Sequence, residues 1–208
     1  MATLGIVAFL TYQAGDHDTA REKAERMIAL AKVHEMTPWI DNGLVILAGV
    51  EARRRGDYRR LNELSERLPE LARGAPAWRR VINFTLLAQC LSDAGDVERG
   101  LNALEAIPPE QRDLMLAPEV RRVHGELLLR RNEREHGERQ LHEATEMARH
   151  RSERIHELRA TASLARLWRQ QGRSEEARRM LSESYSRFTE GFDTRDLREA
   201  KVLLDELA

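Results

Sequence analysis

A short phrase recurs five times along this chain of 208 residues, each time as a turn built on Gly or Asn between two helix-like segments. The copies read "TYQAGDHDTA", "ARRRGDYRRL", "LSDAGDVERG", "LRRNEREHG" and "WRQQGRSEEARRML". The residues five places after the turn position recur at intervals of 41, 39, 37 and 40, and they are Ala20, Leu61, Gly100, Gly137 and Ala177. A nearly constant period of this size predicts an array of helical hairpins.

The first helix of each predicted hairpin carries a small residue at the centre of its apolar face. These residues are Ala8, Gly49, Ala88, Gly125 and Ala165. Paired helices approach closely only where a side chain is nearly absent, so this recurrence predicts close contacts between helices.

The turns contain residues that end one helix and begin the next. Gly172 is expected to adopt the left-handed conformation that follows a helix, and Asn132 takes the same place in the fourth copy. Asp16 or Asp18 is expected to cap the second helix of the first hairpin, and Ser174 that of the fifth. The alternative for "GDHD" is an acid-base or metal role, but the same turn recurs as "GDYR" and "GDVE", which favours capping.

These turns resemble those of tetratricopeptide repeats, although their period exceeds the roughly 34 residues of the standard repeat. The matching segments are Gly15-Asp16 through Ala20, Gly56-Asp57-Tyr58, Gly95-Asp96, and Gly172 through Ala177. The longer period implies longer helices or linkers, so the peptide contacts of standard repeats are not carried over.

The C-terminal part resembles a more specific class. "GELLLRR" from Gly125, "ELRATASLARLWRQQGRSEEARRML" from Glu157 and "FTEGFDTRDLREAKVLLDEL" from Phe188 are similar to the C-terminal helical-repeat region of large bacterial signalling proteins. Those proteins join a winged-helix DNA-binding domain or a class III adenylate cyclase domain to a predicted ATPase module. The resemblance covers Val123 to Leu207, within the accessory region alone, and implies neither cyclase activity nor ATP hydrolysis for this chain.

The sequence therefore predicts an all-α fold, a right-handed α-solenoid of about five tetratricopeptide-like hairpins in a single domain over 1–208. The predicted hairpins cover residues 2–36, 38–73, 76–112, 117–151 and 154–190. A capping helix is predicted over 195–207, with Thr194 or Asp193 at its start.

The first predicted helix carries more apolar groups than one neighbouring helix can bury. They are Leu4, Ile6, Val7, Phe9, Leu10 and Tyr12. Solenoids normally cover their ends with a polar cap, so we expect an upstream repeat or a homodimer partner to cover this helix.

The near balance of basic and acidic residues excludes a global electrostatic field that would attract nucleic acid or an anionic membrane. The chain has 34 basic and 35 acidic residues, for a formal net charge of -1. The densest basic cluster is Arg53, Arg54, Arg55, Arg59 and Arg60. It is either a solvated helix end, which we favour, or a phosphate contact, so we expect no direct nucleic-acid binding and no membrane association.

Cys90 is the only cysteine, which excludes an intrachain disulfide and a cysteine-based zinc site and favours a reducing, cytoplasmic environment. Cys90 itself is predicted to be a buried small apolar residue. The apolar N-terminus lacks the features of a signal peptide, and no apolar run reaches the roughly 18 residues that span a bilayer. Lysine occurs only three times against many arginines, which indicates a GC-rich bacterial genome.

Motifs of common enzyme classes are missing from the sequence. It contains no P-loop, G-x-G-x-x-G, G-x-S-x-G or H-E-x-x-H pattern. His136, His142, His150 and His156 are separated by six, eight and six residues, so they do not share a helical face as zinc ligands would. We therefore expect a protein that is not an enzyme and that binds no cofactor or metal.

The three tryptophans, Trp39, Trp78 and Trp168, lie near the ends of predicted first helices. They are predicted to be packing anchors between repeats, with base-stacking platforms as the alternative. We expect no second aromatic residue beside any of them in a basic groove.

The surface left for function is the concave side that first helices line in such arrays. The residues expected to point outward there are Arg53, Gln89, Arg122, Glu126, Arg130, Arg166, Arg169 and Gln170. Arginine enrichment toward the C-terminal half favours an acidic protein or peptide partner. The leading hypothesis is a regulatory protein-interaction module of a bacterial signalling or transcription-regulatory system. The alternatives are an accessory piece of a multidomain cyclase or ATPase regulator that gives oligomerisation or autoinhibition, and a small-molecule sensor.

Overall fold

A computed structural model describes residues 1–73 and 75–208, and this part of the chain forms helices joined by turns, without strands. The predicted all-α class is confirmed. The helices are α1 (Ala2–Ala14), α2 (His17–Val33), α3 (Thr37–Arg55), α4 (Arg59–Glu66), α5 (Leu68–Ala72), α6 (Ala77–Asp93), α7 (Val97–Glu105), α8 (Pro109–Arg112), α9 (Ala117–Arg130), α10 (Arg134–His150), α11 (Arg154–Gln170), α12 (Ser174–Tyr185) and α13 (Arg195–Glu206).

The helices form two compact units, Met1–Met115 and Leu116–Ala208. In the first unit α1 packs on α2 and α2 on α3, while α3 also packs on α1 and on α6. Helix α6 in turn packs on α7. The core of this unit contains Tyr12, Met27, Ile46, Phe84 and Leu87, all nearly inaccessible to solvent.

In the second unit each helix from α9 to α13 packs on the next helix along the chain. Alternate helices also touch, because α11 contacts both α9 and α13. Leu141, Leu164, Trp168, Leu181 and Leu197 belong to one buried apolar cluster, which holds α10 to α13 together.

The turn residues adopt the backbone conformation that the sequence predicts. Gly172 has φ 79° and Asn132 has φ 67°, both in the left-handed region. Glycine reaches this region without a steric penalty, and asparagine tolerates it better than most side chains.

Two of the aspartates in these turns cap the helices that follow. The Asp16 carboxylate accepts a hydrogen bond from the Thr19 amide at 3.1 Å, and Asp96 accepts one from the Arg99 amide at 3.2 Å. Capping at Asp16 is therefore confirmed.

The predicted cap at Ser174 is wrong. Ser174 is already the first residue of α12, and Arg173 occupies the cap position without a side-chain hydrogen bond to the helix. Thr194 does precede α13, but its hydroxyl donates to the Gly191 carbonyl at 2.6 Å and leaves the helix amides alone.

The second helices of the second and third predicted hairpins are shorter than expected. α4 ends at Glu66, and Pro69 lies in the first turn of the short α5 that follows. α7 ends at Glu105, ahead of Pro108 and Pro109. Proline lacks an amide hydrogen and clashes with the preceding turn, so it stops a helix and permits a new one only at its start.

The closest approach of two helices in the second unit involves two glycines that face each other. A Cβ on Gly125 of α9 would lie 2.9 Å from the Gly137 carbonyl oxygen of α10. A Cβ on Gly137 would lie 2.9 Å from the Gly125 carbonyl oxygen and 2.7 Å from the Leu129 side chain. These distances leave no room for a methyl group, which is the reason that small residues recur at these positions.

We expect Gly125→Ala to lower the free energy of unfolding by about 1–3 kcal/mol, because the added methyl group forces α9 and α10 apart. Urea denaturation measures this change. Arg139→Ala on the exposed side of α10 is the control and should shift stability by less than about 0.5 kcal/mol. If Gly125→Ala stabilised the protein, as alanine does at an exposed helix position, the close approach would be refuted.

Candidate functional site

The two first-unit members of the predicted concave set are half-buried. Arg53 donates from Nε to the Tyr12 hydroxyl oxygen at 2.7 Å and forms an ion pair with Asp93 at 2.7 Å. Its guanidinium also lies 5.4 Å from the centre of the Tyr12 ring. Arg53 therefore ties α3 to α1 and α6, while Gln89 of α6 is half-buried on the same unit.

The Arg53 cluster includes the single thiol. Cys90 Sγ lies 3.1 Å from the Tyr12 hydroxyl, and both residues are almost fully buried, which confirms the predicted burial of Cys90. Burial raises the pKa of Cys90 to about 11 and also raises the pKa of Tyr12. A thiol that stays protonated and inaccessible is a poor nucleophile, so this cluster is structural.

In the second unit, Arg122 does not point outward as expected. It is 5% exposed and reaches the Glu119 carboxylate through two hydrogen bonds, of 3.0 Å from Nε and 2.7 Å from Nη2. Its Nη1 donates to Glu126 at 2.6 Å. The three residues are spaced i, i+3 and i+7 on α9, so they share one face, and that face is covered by neighbouring helices.

Arg159 of α11 extends this buried ion-pair network to α13. It lies 3.7 Å from Glu119 and donates two hydrogen bonds to the Asp196 carboxylate, at 3.0 and 2.7 Å. Ser163, one turn further along α11, donates to Glu126. Charged and polar side chains of this network therefore link α9, α11 and α13, in addition to the apolar contacts between these helices.

The network controls the ionisation of Glu119. Burial acts to raise the pKa of this carboxyl, but Arg122 and Arg159 lower it by more, so the net pKa lies well below its ordinary value. Glu119 is therefore a carboxylate at neutral pH, which excludes a role as proton donor there.

The remaining members of the predicted set are on the surface of the second unit. Arg130 at the end of α9 and Arg166, Arg169 and Gln170 on α11 are exposed. Arg166 lies 3.7 Å from Glu199, and Arg169 contacts Glu206. Both carboxylates belong to α13 and are exposed themselves.

Three arginines of α11, namely Arg159, Arg166 and Arg169, each pair with an acid of α13, and the two nearer the C-terminus of α11 are more exposed than Arg159. Arg159 is nearly buried on Asp196, whereas Arg166 and Arg169 form exposed pairs with the next acids of α13. Exposed ion pairs contribute little free energy, so the outer two arginines exchange partners easily.

The arginine cluster that offered a nucleic-acid alternative is largely neutralised within the chain. Arg54 contacts Asp18, and Arg60 pairs with Glu51 at 2.9 Å. Arg59 pairs with Asp57 at 2.7 Å, and hydrogen bonds from Arg59 lower the pKa of Asp57 to about 2. Carboxylates occupy the guanidinium groups that a phosphate backbone would need.

Trp168 is a packing residue, as predicted. It is 7% exposed within the apolar cluster of the second unit, and its indole nitrogen donates to Glu138 at 2.7 Å. The guanidinium of Arg173 lies 4.3 Å from the centre of its ring, and His142 lies beside it.

The expectation that no second aromatic residue lies beside a tryptophan in a basic groove is wrong in both units, because His142 and Arg173 lie beside Trp168 and the other two tryptophans lie beside each other. The Trp39 and Trp78 rings lie 6.0 Å apart at the starts of α3 and α6. The guanidinium of Arg79 lies close to both rings. The two tryptophans are 39 residues apart in sequence, so only the repeat period, which equates their positions in successive hairpins, could have indicated the pairing.

One face of α1 exposes apolar side chains. Ile6 is 58% and Leu10 57% exposed, whereas Tyr12 is buried. Covering of this face by an upstream repeat or a second copy stays a prediction.

Replacing Glu119 by Gln should lower the free energy of unfolding at pH 7 by about 3 kcal/mol, because one partner of a buried ion pair is removed. In the unfolded chain Glu119 takes up a proton near its ordinary pKa of about 4.3. In the folded chain the pKa of Glu119 is lower, so the carboxylate stays charged at that pH. The stability that Glu119 contributes is therefore complete above that pH and is lost as the pH falls.

Urea denaturation at neutral and acid pH tests this sign. The difference in free energy of unfolding between the wild type and Glu119→Gln should become smaller as the pH falls below about 4.3. Glu135→Gln, on the exposed first turn of α10, is the control and should change stability by less than about 0.5 kcal/mol at either pH. A gap that widened in acid would contradict the buried network.

Cys90 should react with a disulfide reagent such as DTNB at pH 8 only as fast as the protein opens, because its thiol is buried and protonated. The same protein in denaturant is the control and should react at once. Rapid reaction of the folded protein would show that the thiol is accessible.

Within residues 1–73 and 75–208, no helix combines the length and apolar character needed to cross a membrane. In the same residues, His, Cys, Asp and Glu side chains do not converge in threes that could hold a metal ion. Comparisons with protein-family models, with curated proteins and with solved structures found no significant match.

Proposed function

We propose that this chain is a non-enzymatic protein-interaction module that binds an acidic protein or peptide segment. The observation that carries the proposal is the set of three arginines on α11 that pair with acids of α13. Arg159 is held by the half-buried carboxylate of Asp196, whereas Arg166 and Arg169 pair with exposed carboxylates. Positively charged groups held on a rigid helix, with weak local partners, suit an acidic guest.

The proposed architecture is a right-handed α-solenoid of tetratricopeptide-like hairpins over 1–208, with α13 as its C-terminal cap. Two features support it. Consecutive helices pack as pairs within each unit, and α11 also touches α9 and α13, as the first helices of stacked hairpins do. The left-handed turn residue recurs at Gly15, Gly56, Gly95, Asn132 and Gly172.

In such an array first helices line the binding side, so Arg130 of α9 and Gln170 of α11 extend the proposed surface around Arg166 and Arg169. Arg122 and Glu126 support this surface indirectly, because they belong to the buried ion-pair network that links α9 to α11. A regulatory role in bacterial signalling or transcription is part of the proposal and rests on the sequence resemblance of the C-terminal part.

A fluorescein-labelled glutamate-rich peptide serves as the probe, with a glutamine-rich peptide of equal length for comparison. Arg166→Glu/Arg169→Glu should weaken binding of the acidic peptide by about tenfold at low salt, because the variant repels the guest. Glu199→Gln/Glu206→Gln should strengthen it, because these acids compete for the same arginines. Fluorescence anisotropy measures both affinities.

Arg178→Glu/Arg179→Glu on the exposed part of α12 is the matched control, since it makes the same change in net charge on a second helix. It should change the affinity less than threefold, roughly, by long-range charge alone. Equal losses from both pairs of substitutions would show a general charge effect and would refute a site on α11.

A further inference from the structure

Arg79 of α6 is buried in the first unit, and its Nε finds no hydrogen-bond acceptor among the residues that the structure describes. It is 5% exposed, the same fraction as Arg122, yet the two arginines differ in their surroundings. Arg122 is held by two carboxylates, whereas Arg79 has a buried Nε with no acceptor. Within the part of the chain that the structure describes, no carboxylate lies within ion-pair distance of Arg79. A buried donor without an acceptor is costly, so such a group needs an explanation.

Two indole rings cover the guanidinium of Arg79. Its central carbon lies 4.0 Å from the centre of the Trp39 ring and 4.9 Å from that of Trp78. Both distances are those of cation–π contacts. An aromatic ring offers no lone pair to an N–H donor in the guanidinium plane, so these contacts do not supply the acceptor that the buried Nε lacks.

The backbone around Arg79 is also electropositive. Trp39 is the third residue of α3 and Trp78 the second residue of α6, so both rings stand in the first turn of a long helix. Neither helix has a side-chain cap that accepts from its free amides. Free amides and the helix dipole make these ends favourable places for negative charge.

The carboxylate that most affects Arg79 is Asp41, two residues after Trp39. Burial raises the pKa of Asp41, and Arg67 and Arg79 oppose that rise. Burial lowers the pKa of Arg79, while Asp41 acts in the opposite direction without forming an ion pair with it. Arg79 is thus only partly compensated, and Arg67 is already bonded to Glu70 at 2.8 Å.

We propose that Arg79, held between Trp39 and Trp78, is a binding site for an oxyanion, namely a carboxylate or a phosphate group with two oxygens in one plane. Two such oxygens match the edge of the guanidinium fork. The ligand enters beside Trp78, which is 38% exposed, and stacks its apolar or aromatic part on that ring. This site lies in the first unit and is independent of the proposed peptide surface on α11.

Indole N–H signals in two-dimensional NMR provide the readout. The chain has three tryptophans, and Trp39→Phe, Trp78→Phe and Trp168→Phe assign the three signals. Sodium acetate and sodium phosphate are titrated against sodium chloride at constant ionic strength. The Trp39 and Trp78 signals should shift and saturate, while that of Trp168, hydrogen-bonded to Glu138 in the second unit, should stay in place. Saturation by both salts identifies a general oxyanion site, and saturation by phosphate alone identifies a phosphate site.

Substitutions then assign the site to Arg79. Arg79→Met should weaken oxyanion binding by about tenfold or more, because a charge-assisted hydrogen bond is lost. Asp41→Asn should strengthen it, because a competing negative charge disappears while the fold keeps its shape. Arg73→Met removes an exposed charge shortly before α6 and serves as the matched control, with affinity expected to change little.

Three results would overturn the proposal. The first is that neither acetate nor phosphate shifts the Trp39 and Trp78 signals beyond the effect of chloride. The second is that all three indole signals move together, which indicates a general salt effect. The third is that Arg73→Met weakens binding as much as Arg79→Met. The gain from Asp41→Asn keeps the test decisive even if Arg79→Met fails to fold, because an unchanged or weaker affinity in Asp41→Asn also refutes the site.

Discussion

The close approach of neighbouring helices is the constraint on which the rest of the second unit depends. Gly125 and Gly137 bring the backbones of α9 and α10 so near that a Cβ on either one would meet the other's carbonyl oxygen at 2.9 Å. Because the two glycines have no side chains, Leu141 packs against Gly125 and Leu129 packs against Gly137. Since closely packed interiors resist even one added methyl group, the position of α9, and of the charged groups on it, follows from this contact.

Buried ion pairs add to the apolar packing between α9, α11 and α13. The faces of α9, α11 and α13 carry Glu119, Arg122, Arg159 and Asp196 where they meet, and each of these groups has a partner of opposite charge. Burying charges is costly unless they are paired and hydrogen-bonded, so this network selects one alignment of the three helices. The outer arginines of α11 lie on the same line but remain in solvent, where ion pairs are weak. One row of residues thus serves structure at one end, and in the proposed function it binds an acidic segment at the other.

Two arginines with equal exposure have different surroundings. Arg122 is satisfied by Glu119 and Glu126 of its own helix, and these two carboxylates in turn contact Arg159 and Ser163 of α11. Arg79 lies against two aromatic rings that leave its buried Nε donor unsatisfied. An aromatic ring offers a cation attraction but no lone pair in the plane of the fork. This difference, more than burial itself, separates a structural arginine from a candidate ligand-binding one.

The sequence alone determined the local features: the all-helical class, the left-handed residues Asn132 and Gly172, the cap at Asp16 and the burial of the small residues at helix contacts. Each of these depends on neighbours within a few positions or on a repeated period, so the pattern contains the information. The tertiary structure decided which charged residues turn inward. Arg122 was expected on the surface but is buried. Trp39 and Trp78 were expected to have no aromatic neighbour, but they lie beside each other and beside Arg79. These outcomes depend on how distant helices rotate and settle against one another, and a single amphipathic pattern does not specify that rotation.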